Sequence, residues 1–294
     1  MADFIENIKL KFKAGNTLIK LIFINIGIFL ALGITSVIGT LFKLNIIDIQ
    51  HWVGVPSNLS YLLSTPWTLF TYMFVHDINP LHLFFNMLLL YWFGKIFLNY
   101  FSQKNMVGLY ILGGVSGAAL YIVAFNTIPY YVDMGDKFLI GASASVMSII
   151  FASAFYRPQQ ELTMFFLGKI KIIYIACFIF LLDFLALGSP ANPGGHIAHI
   201  GGAILGYAFA KQYVKGRDIT RWLNRMIDWV FDLFKPKPPK MKVKYKKKET
   251  DYEYNQRKHQ ETEDLDKILD KIKASGYTSL TTEEKKRLFD ASNK

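Results

Sequence analysis

The run Gly-Ala-Ser-Ala-Ser at positions 141 to 145 opens a long apolar segment and contains a serine that could act as a nucleophile, Ser143. A serine hydroxyl is a poor nucleophile until a neighbouring base takes its proton, and histidine suits that role near neutral pH. Small residues at close spacing in membrane helices usually serve helix packing instead. Ser143 is therefore a candidate nucleophile only if other residues supply a base, and hydrogen-bond donors for the charge that develops on the substrate.

Two further groups of polar residues lie inside apolar segments, where an ionisable side chain is costly and points to function. His82 and Asn86 are one helical turn apart and share a face of their helix. His199 shares a face with Gly202 and Gly206, which a neighbouring helix can approach closely. Together with the serine run, these groups predict one site built from three helices.

Each member of this site has a role in acyl transfer. His199 is the candidate general base for Ser143. The oxyanion formed when a carbonyl is attacked needs hydrogen-bond donors, and the backbone N–H groups of Ala142 and Ser143 open a helix whose dipole favours negative charge. The side chains of His82 and Asn86 are further candidate donors. The pattern predicts a serine nucleophile, a histidine base and an oxyanion site.

Neighbouring residues offer alternatives to these assignments. Gly141 lets the backbone approach a substrate closely, whereas Ser145 points to another helical face and is expected to serve packing. His196 could replace His199 as the base, but it lies at the mouth of its helix and lacks the small-residue face. Asp183 is an intramembrane acid without an obvious partner, and a carboxyl group bonded to a neighbouring helix, or kept neutral, is favoured over a functional role.

The composition excludes an ordinary soluble protein. Of 294 residues, 52% are hydrophobic and 16% aromatic, and only 19% are charged, which is typical of a polytopic membrane protein. We predict an all-α bundle of six transmembrane helices. The apolar segments that predict it are roughly 19 to 42, 81 to 101, 105 to 126, 138 to 156, 170 to 188 and 196 to 214.

Cations predict the orientation of this bundle. The net charge of +11 is concentrated near the N-terminus and after residue 210, which indicates anionic membrane headgroups as partners and no nucleic acid. If six helices alternate, most cations between the segments fall on one side, and the other side keeps Lys43 and Lys137. By the positive-inside rule, both termini are then cytoplasmic and the candidate site opens toward the outer face.

The sequence predicts five consecutive parts, of which the last three follow the bundle. Trp222, Met226 and Trp229 have the spacing of an interfacial amphipathic helix, and eight lysines with three prolines then fill 235 to 248. A capping-box pattern near the C-terminus indicates a helical module with an unknown cytoplasmic partner. The parts are a cytoplasmic N-terminal segment (1–18), a six-helix membrane domain (19–216), the interfacial helix (217–234), a basic and charged linker (235–262) and the helical module (263–294).

The polar groups also resemble a known family, the rhomboid intramembrane serine proteases of bacterial type. The resemblance rests on His82-x-x-x-Asn86, Gly141-x-Ser143 and Ala198-His199-x-x-Gly202-x-x-x-Gly206, in that order over six spans. It implies a Ser143–His199 dyad with no acidic third member, an oxyanion site that includes His82 and Asn86, and a multi-pass protein of a bacterial inner membrane. It also implies that single-span membrane proteins are cleaved in or near their transmembrane segment, through an acyl-enzyme.

Three positions depart from the pattern of that family. Ala144 follows the serine where many members have glycine, and Trp67-Thr68 stands where a Trp-Arg pair is common. Met147 occupies a position where members often place an aromatic ring against the histidine, although a thioether also packs on imidazole. None of these changes removes a catalytic group.

Other classes of function fit the sequence less well. A metalloprotease of the His-Glu-x-x-His type is disfavoured because the sequence contains no such run, and an aspartyl protease is disfavoured because it needs two intramembrane acids, where only Asp183 is clearly inside a span. We therefore expect no metal and no cofactor. A rhomboid-like protein that binds membrane segments without cutting them, or a small proton-coupled transporter that uses the histidines and Asp183, remain the alternatives to a protease.

Overall fold

The structure is a computed structural model that describes residue 12 and residues 15–43, 49–164, 168–190, 192–234 and 249–292. The chain divides into two compact units, Met1–Lys235 and Pro236–Lys294. Most of the predicted N-terminal segment 1–18 and the lysine-rich stretch 235–248 lie outside the described residues.

Six helices of the first unit fall on the six apolar segments. They are α1 (Thr17–Phe42), α2 (Pro80–Leu98), α3 (Gln103–Thr127), α4 (Ser143–Tyr156), α5 (Ile172–Leu185) and α6 (Pro193–Val214). Among the described residues, α1, α2 and α3 are long and apolar enough to cross a membrane, and α4 and α5 are shorter apolar helices. The predicted all-α, polytopic fold is confirmed.

Most of these helices begin at a side chain that caps their first turn. Asn16, Asn79, Ser102 and Asn192 each accept a hydrogen bond from a first-turn N–H group, and so satisfy one of the donors that a helix start leaves free. Helix α4 has no such cap, because its N-cap residue is Ala142. The N-terminus of α4 therefore retains donors for another acceptor.

Helix α4 is the centre of the bundle. Every residue from Ala144 to Ala154 is buried, as expected of a short helix that is apolar on all sides. Helices α2, α3 and α6 pack around it, and α6 makes its most extensive contact with α4. The buried hydroxyl groups of Ser148 and Ser153 donate to the carbonyl oxygens of Leu109 (3.1 Å) and Ile149 (2.8 Å). Packing and hydrogen bonds thus hold α4 in the middle of the membrane domain.

Two glycines bring the backbones of α4 and α6 into contact. A Cβ atom at Gly202 would overlap the carbonyl oxygen of Ala144, and one at Gly206 would overlap that of Ser148. Small residues at such positions let membrane helices approach closely, since dispersion contacts between backbones then drive their association. The contact at Gly202 lies one turn from His199 on α6 and one residue from Ser143 on α4.

The long connection between α1 and α2 also reaches α4. It contains the short helices Ile49–Val53, Leu59–Ser64 and Thr68–Thr71 and the 3-10 turn Tyr72–Phe74. Its strand β1 (Val55–Pro56) pairs antiparallel with β2 (Phe138–Leu139), with Val55 opposite Leu139. Because β2 occupies the first residues of the fourth apolar segment, α4 begins at Ser143 and not near residue 138.

A β-hairpin and a further helix also belong to the first unit. A hairpin of β3 (Glu161–Met164) and β4 (Gly168–Lys171) connects α4 to α5. After α6, helix α7 (Arg221–Phe234) packs on α3, and an exposed ion pair of 2.6 Å joins Lys104 of α3 to Asp228 of α7. Leu223 is buried, but most apolar residues of α7 are exposed, as they would be in a membrane interface, and that location stays a prediction. They include Trp222, Met226, Trp229 and Leu233.

The second unit consists of α8 (Asp251–Ser275), the 3-10 turn Tyr277–Ser279 and α9 (Thr282–Ser292). Helix α8 begins inside the span 235–262 for which a linker is predicted, because Thr250 and Glu253 form a capping box at its start. Lys271 of α8 and Glu284 of α9 form an ion pair of 2.9 Å. Ile268 is buried between these elements.

Candidate active site

Ser143 is the first residue of α4 and is presented by an unusual backbone conformation just before it. Gly141 has a φ angle of +126°, in a region that residues with a side chain rarely adopt. The N–H group of Gly141 donates to the carbonyl oxygen of Tyr72 at 3.0 Å, so the long outer connection holds this turn in place. Ser143 itself is only partly buried.

His82 of α2 meets Ser143 across Gly141. A Cβ atom at Gly141 would lie 3.3 Å from Nε2 of His82 and 3.6 Å from Oγ of Ser143. The imidazole and the hydroxyl group therefore border the same small space, which glycine leaves open. The structure brings these two predicted site residues together.

Hydrogen-bond donors near this region come from the start of α4 and from Asn86, one turn after His82. The first N–H groups of any α-helix lack an intrahelical partner, and at α4 no side chain caps them. Asn86 is buried, and its Nδ2 donates one hydrogen to the carbonyl oxygen of His82 at 2.8 Å. A side-chain amide carries two N–H hydrogens, so Asn86 keeps a second donor. The end of the bundle that holds Ser143 is thus rich in hydrogen-bond donors.

His199 is bound to an acid on the neighbouring helix. Its Nδ1 lies 2.8 Å from Oδ1 of Asp183, and Nδ1 of His196 lies 2.9 Å from the same oxygen. The carboxyl group is largely buried, with 10% of its side chain exposed. His199 also lies close enough to His82 for the two imidazoles to interact electrostatically. Helices α2, α5 and α6 therefore contribute to one cluster near Ser143.

Ser143 and His199 are not hydrogen-bonded to each other in the described part of the chain. Catalytic hydrogen bonds are often long in substrate-free enzymes and shorten when a substrate binds. The other ring nitrogen of His199, Nε2, is the atom left for such a bond, since Nδ1 is engaged by Asp183.

The partner of Asp183 is the feature that the sequence did not reveal. The carboxyl group is bonded to a neighbouring helix, which is the interpretation favoured above, but its partners are the candidate base and the alternative base, His196. The sequence pattern that could have indicated this contact is an acid in one span, Asp183, followed in the next span by two histidines one turn apart, His196 and His199. Ser145 is fully buried against Gly114 of α3, as expected for a packing residue.

Asp183, His196 and His199 are also residue types that bind metals. Their nearest ligand atoms lie within 4.8 Å of one another. However, both Nδ1 atoms already have a hydrogen-bond partner in Asp183, at the N···O distances typical of N–H···O bonds. The cluster is therefore satisfied as a hydrogen-bonded network, and this arrangement does not require an ion.

A cavity of about 760 Å³ adjoins the site. It is lined by the start of α2, by the segment before α4 and by the start of α6, and His82 is among its lining residues. Asp77 and Lys137 place one acidic and one basic side chain on its wall. A cavity of this size can hold a peptide segment next to His82.

His76, in the connection before α2, packs against the imidazole ring of His82. It is 6% exposed, and its ring centroid lies 5.3 Å from that of His82 in an edge-to-face arrangement. The pKa of His76 is lowered from 6.5 to about 4, mainly by burial and to a smaller extent by the nearby His82. The neutral imidazole is therefore the form that the fold accommodates.

Replacing His76 with phenylalanine should make stability less dependent on pH. Because the pKa is lower in the folded state, the unfolded chain binds more protons between pH 6.5 and 4, and stability is lost as the pH falls through this window. The loss attributable to His76 is at most about 3 kcal/mol. Thermal unfolding in detergent between pH 7 and pH 4 measures it. His259→Gln, at a histidine whose side chain is 77% exposed, provides the control for replacing a histidine as such.

Comparisons with known proteins point to one family for the membrane domain. Residues 63–216 match the family described as "Rhomboid domain", and residues 248–294 match a family of unknown function, DUF6576. The RHOMBOID-like protein 12, mitochondrial, of Arabidopsis thaliana is 26% identical over 160 residues, which cover 51% of this chain and 47% of that protein. The match thus spans about half the length of this curated relative. No solved structure matches the chain.

Proposed function

Since the chain belongs to the rhomboid family of membrane proteins, we propose that it is an intramembrane serine endopeptidase that cleaves single-span membrane proteins in or near their transmembrane segment. The observation that carries this proposal is the meeting of Ser143 and His82 around Gly141, with His199 in electrostatic reach of His82. The family includes serine proteases, and these residues have the types and positions that acyl transfer requires.

Ser143 is the nucleophile in this proposal. Its Oγ attacks the carbonyl carbon of the scissile peptide bond, and Nε2 of His199 takes the hydroxyl proton. A bond forms between Oγ and the carbonyl carbon, and the carbonyl oxygen becomes an oxyanion. General-base assistance of this kind is worth on the order of a hundred to ten thousandfold in rate.

The oxyanion is stabilised by the donors at the start of α4. These are the backbone N–H groups of Ala142 and Ser143, the second N–H of Asn86, and His82 when its Nε2 carries a hydrogen. Removing one such donor typically costs about a hundredfold or more. The absence of a cap on α4 fits this role, because a capping side chain would compete with the oxyanion.

The intermediate then collapses and releases the first product. The C–N bond breaks, and the leaving amine takes the proton from Nε2 of His199, which leaves an acyl group on Ser143. A water molecule, deprotonated by the same nitrogen, attacks the acyl carbon, and the proton returns to Oγ as the carboxylic acid product departs. Each proton removed by His199 is thus returned within one catalytic cycle.

Orientation and partners follow from the charges. We propose that both termini are cytoplasmic, so that the cavity beside His82 opens toward the outer face and admits water and substrate there. The substrates are then membrane proteins with a single span. The lysine-rich stretch after α7 would bind anionic headgroups at the cytoplasmic surface.

Labelling with a serine-directed fluorophosphonate tests the proposal directly. The detergent-solubilised protein should form one covalent adduct, in which the phosphorus is bonded to Oγ of Ser143 and fluoride has left. Peptide mapping by mass spectrometry locates the adduct. His199→Ala should prevent labelling, because Ser143 then lacks a base.

The matched control is Ser145→Ala, which removes a buried hydroxyl two residues away and should leave the adduct in place. An adduct on another serine would contradict the assignment of the nucleophile. Intact, correctly folded protein that forms no adduct would favour a rhomboid-like protein that binds membrane segments without cutting them.

A further inference from the structure

We infer that Asp183 is a positioning residue for His199, which fixes the protonation of its ring and stabilises the imidazolium that forms during catalysis. The inference rests on the proposed function, and it adds an acidic third member to the Ser143–His199 pair. The contact that carries it is the distance of 2.8 Å between Oδ1 of Asp183 and Nδ1 of His199.

The position of Asp183 is costly for the fold unless the carboxyl group is bonded. It lies on α5 among apolar residues, and the residue as a whole is 7% exposed. A buried charge without partners would destabilise a membrane helix by several kcal/mol. Both partners that offset this cost are histidines of α6, and one of them is the candidate base.

The hydrogen bond decides which nitrogen of His199 can act as a base. An ionised carboxylate has no hydrogen to donate, so Nδ1 of His199 must carry the hydrogen of this bond. In a neutral imidazole only one nitrogen is protonated, and Nε2 therefore keeps its lone pair. Nε2 is the atom that must accept the proton of Ser143.

The same contact stabilises the charge that catalysis creates. When Nε2 takes a proton, His199 becomes an imidazolium, and the carboxylate at Nδ1 forms an ion pair with it. Such a pair is stronger in a water-poor membrane interior than in water. His196 donates to the same oxygen at 2.9 Å and so holds the carboxylate in its orientation toward His199.

Few other titratable groups surround His199. His82 approaches it from α2, and Tyr121 of α3 packs on the start of α6 at Gly194. Helix α4 has one titratable residue, Tyr156, which lies at its opposite end from Ser143. Asp183 is therefore the acidic group that faces His199 in the described part of the bundle.

The rate of fluorophosphonate labelling at Ser143, measured as a function of pH, tests the role of Asp183. Asp183→Asn keeps the shape of the side chain and removes its charge. We expect labelling to slow, by as much as about ten-thousandfold if the base is left in the wrong tautomer, and the acidic limb of the pH–rate profile to move to lower pH, since the imidazolium loses its ion pair. A variant with the wild-type rate and profile, or one with a lower rate and an unmoved limb, would overturn the inference.

A spectroscopic measurement on the wild-type protein needs no variant of Asp183 to fold. With ¹⁵N-labelled histidine, and His199→Gln to assign the signal, NMR should show His199 protonated at Nδ1 with a proton shifted far downfield. A hydrogen on Nε2 instead would refute the positioning role. If the wild-type protein forms no adduct at Ser143 at all, the proposed function fails; an adduct that depends on His199 but not on Asp183 defeats this inference alone.

Discussion

Ser143→Ala should abolish cleavage of a membrane-anchored reporter protein, with a fall in rate of at least about a thousandfold. The substitution removes the oxygen that forms the acyl-enzyme, and the donors at the start of α4 cannot replace it. His199→Ala should have a similar effect, because nucleophile and base act as a unit and removing either disables both. The cleaved fragment of a co-expressed single-span reporter, detected by immunoblotting, measures the effect.

The control for this experiment is Ser153→Ala, which removes a buried hydroxyl from the opposite end of the same helix. It should cleave the reporter like the wild type, and all variants should be present in the membrane at equal amounts. Undiminished cleavage by the Ser143→Ala protein would exclude Ser143 as the nucleophile. Substrate-driven proton flux that does not depend on Ser143 would indicate a transporter instead.

The residues that could be found from the sequence are those whose relation is local. His82 and Asn86 share a helical face because they are one turn apart, and the same holds for Gly202 and Gly206. The six helices could also be located, because the thickness of a membrane sets the length of an apolar segment. Both predictions are independent of how the helices are arranged around one another.

The start of α4 depends on a distant part of the chain. Residues 138 and 139 are apolar and continue the fourth segment, yet they pair with Val55 and Pro56 of the outer connection. This pairing keeps residues 138 and 139 extended. The hydrogen bond from the N–H group of Gly141 to the carbonyl oxygen of Tyr72 then fixes the backbone just before Ser143. Such contacts join residues far apart in sequence, so periodicity within one segment cannot predict them.

The hydrogen-bond partners of Asp183 could not be predicted from the sequence, for a related reason. Whether an acid on α5 meets a histidine on α6 depends on the rotation of each helix about its axis and on the depth of each in the bundle. Packing against α3 and α4 fixes these for α6, through contacts such as that of Gly202 with Ala144. Hydrophobicity identifies α5 as a helix but does not state which of its faces meets α6.

Gly202→Ala should destabilise the bundle and impair the site at the same time. The added methyl group would overlap the carbonyl oxygen of Ala144, so α4 and α6 must separate or rotate to accommodate it. Overpacking of this kind costs about 1–3 kcal/mol, and more where rigid backbone forms the obstacle. Because α4 carries Ser143 and α6 carries His199, a displacement of about 1 Å between them could slow catalysis by about a hundredfold.

Gly33→Ala in α1 is the matched control, since it makes the same chemical change at a glycine with no neighbouring atom within 4 Å. Alanine also forms helices better than glycine, so this variant should be as stable as the wild type or slightly more stable. Thermal unfolding and the rate of fluorophosphonate labelling, measured on both variants, separate the two effects. If Gly202→Ala retained the wild-type unfolding temperature and labelling rate, close contact between α4 and α6 would not be what brings the nucleophile and the base together.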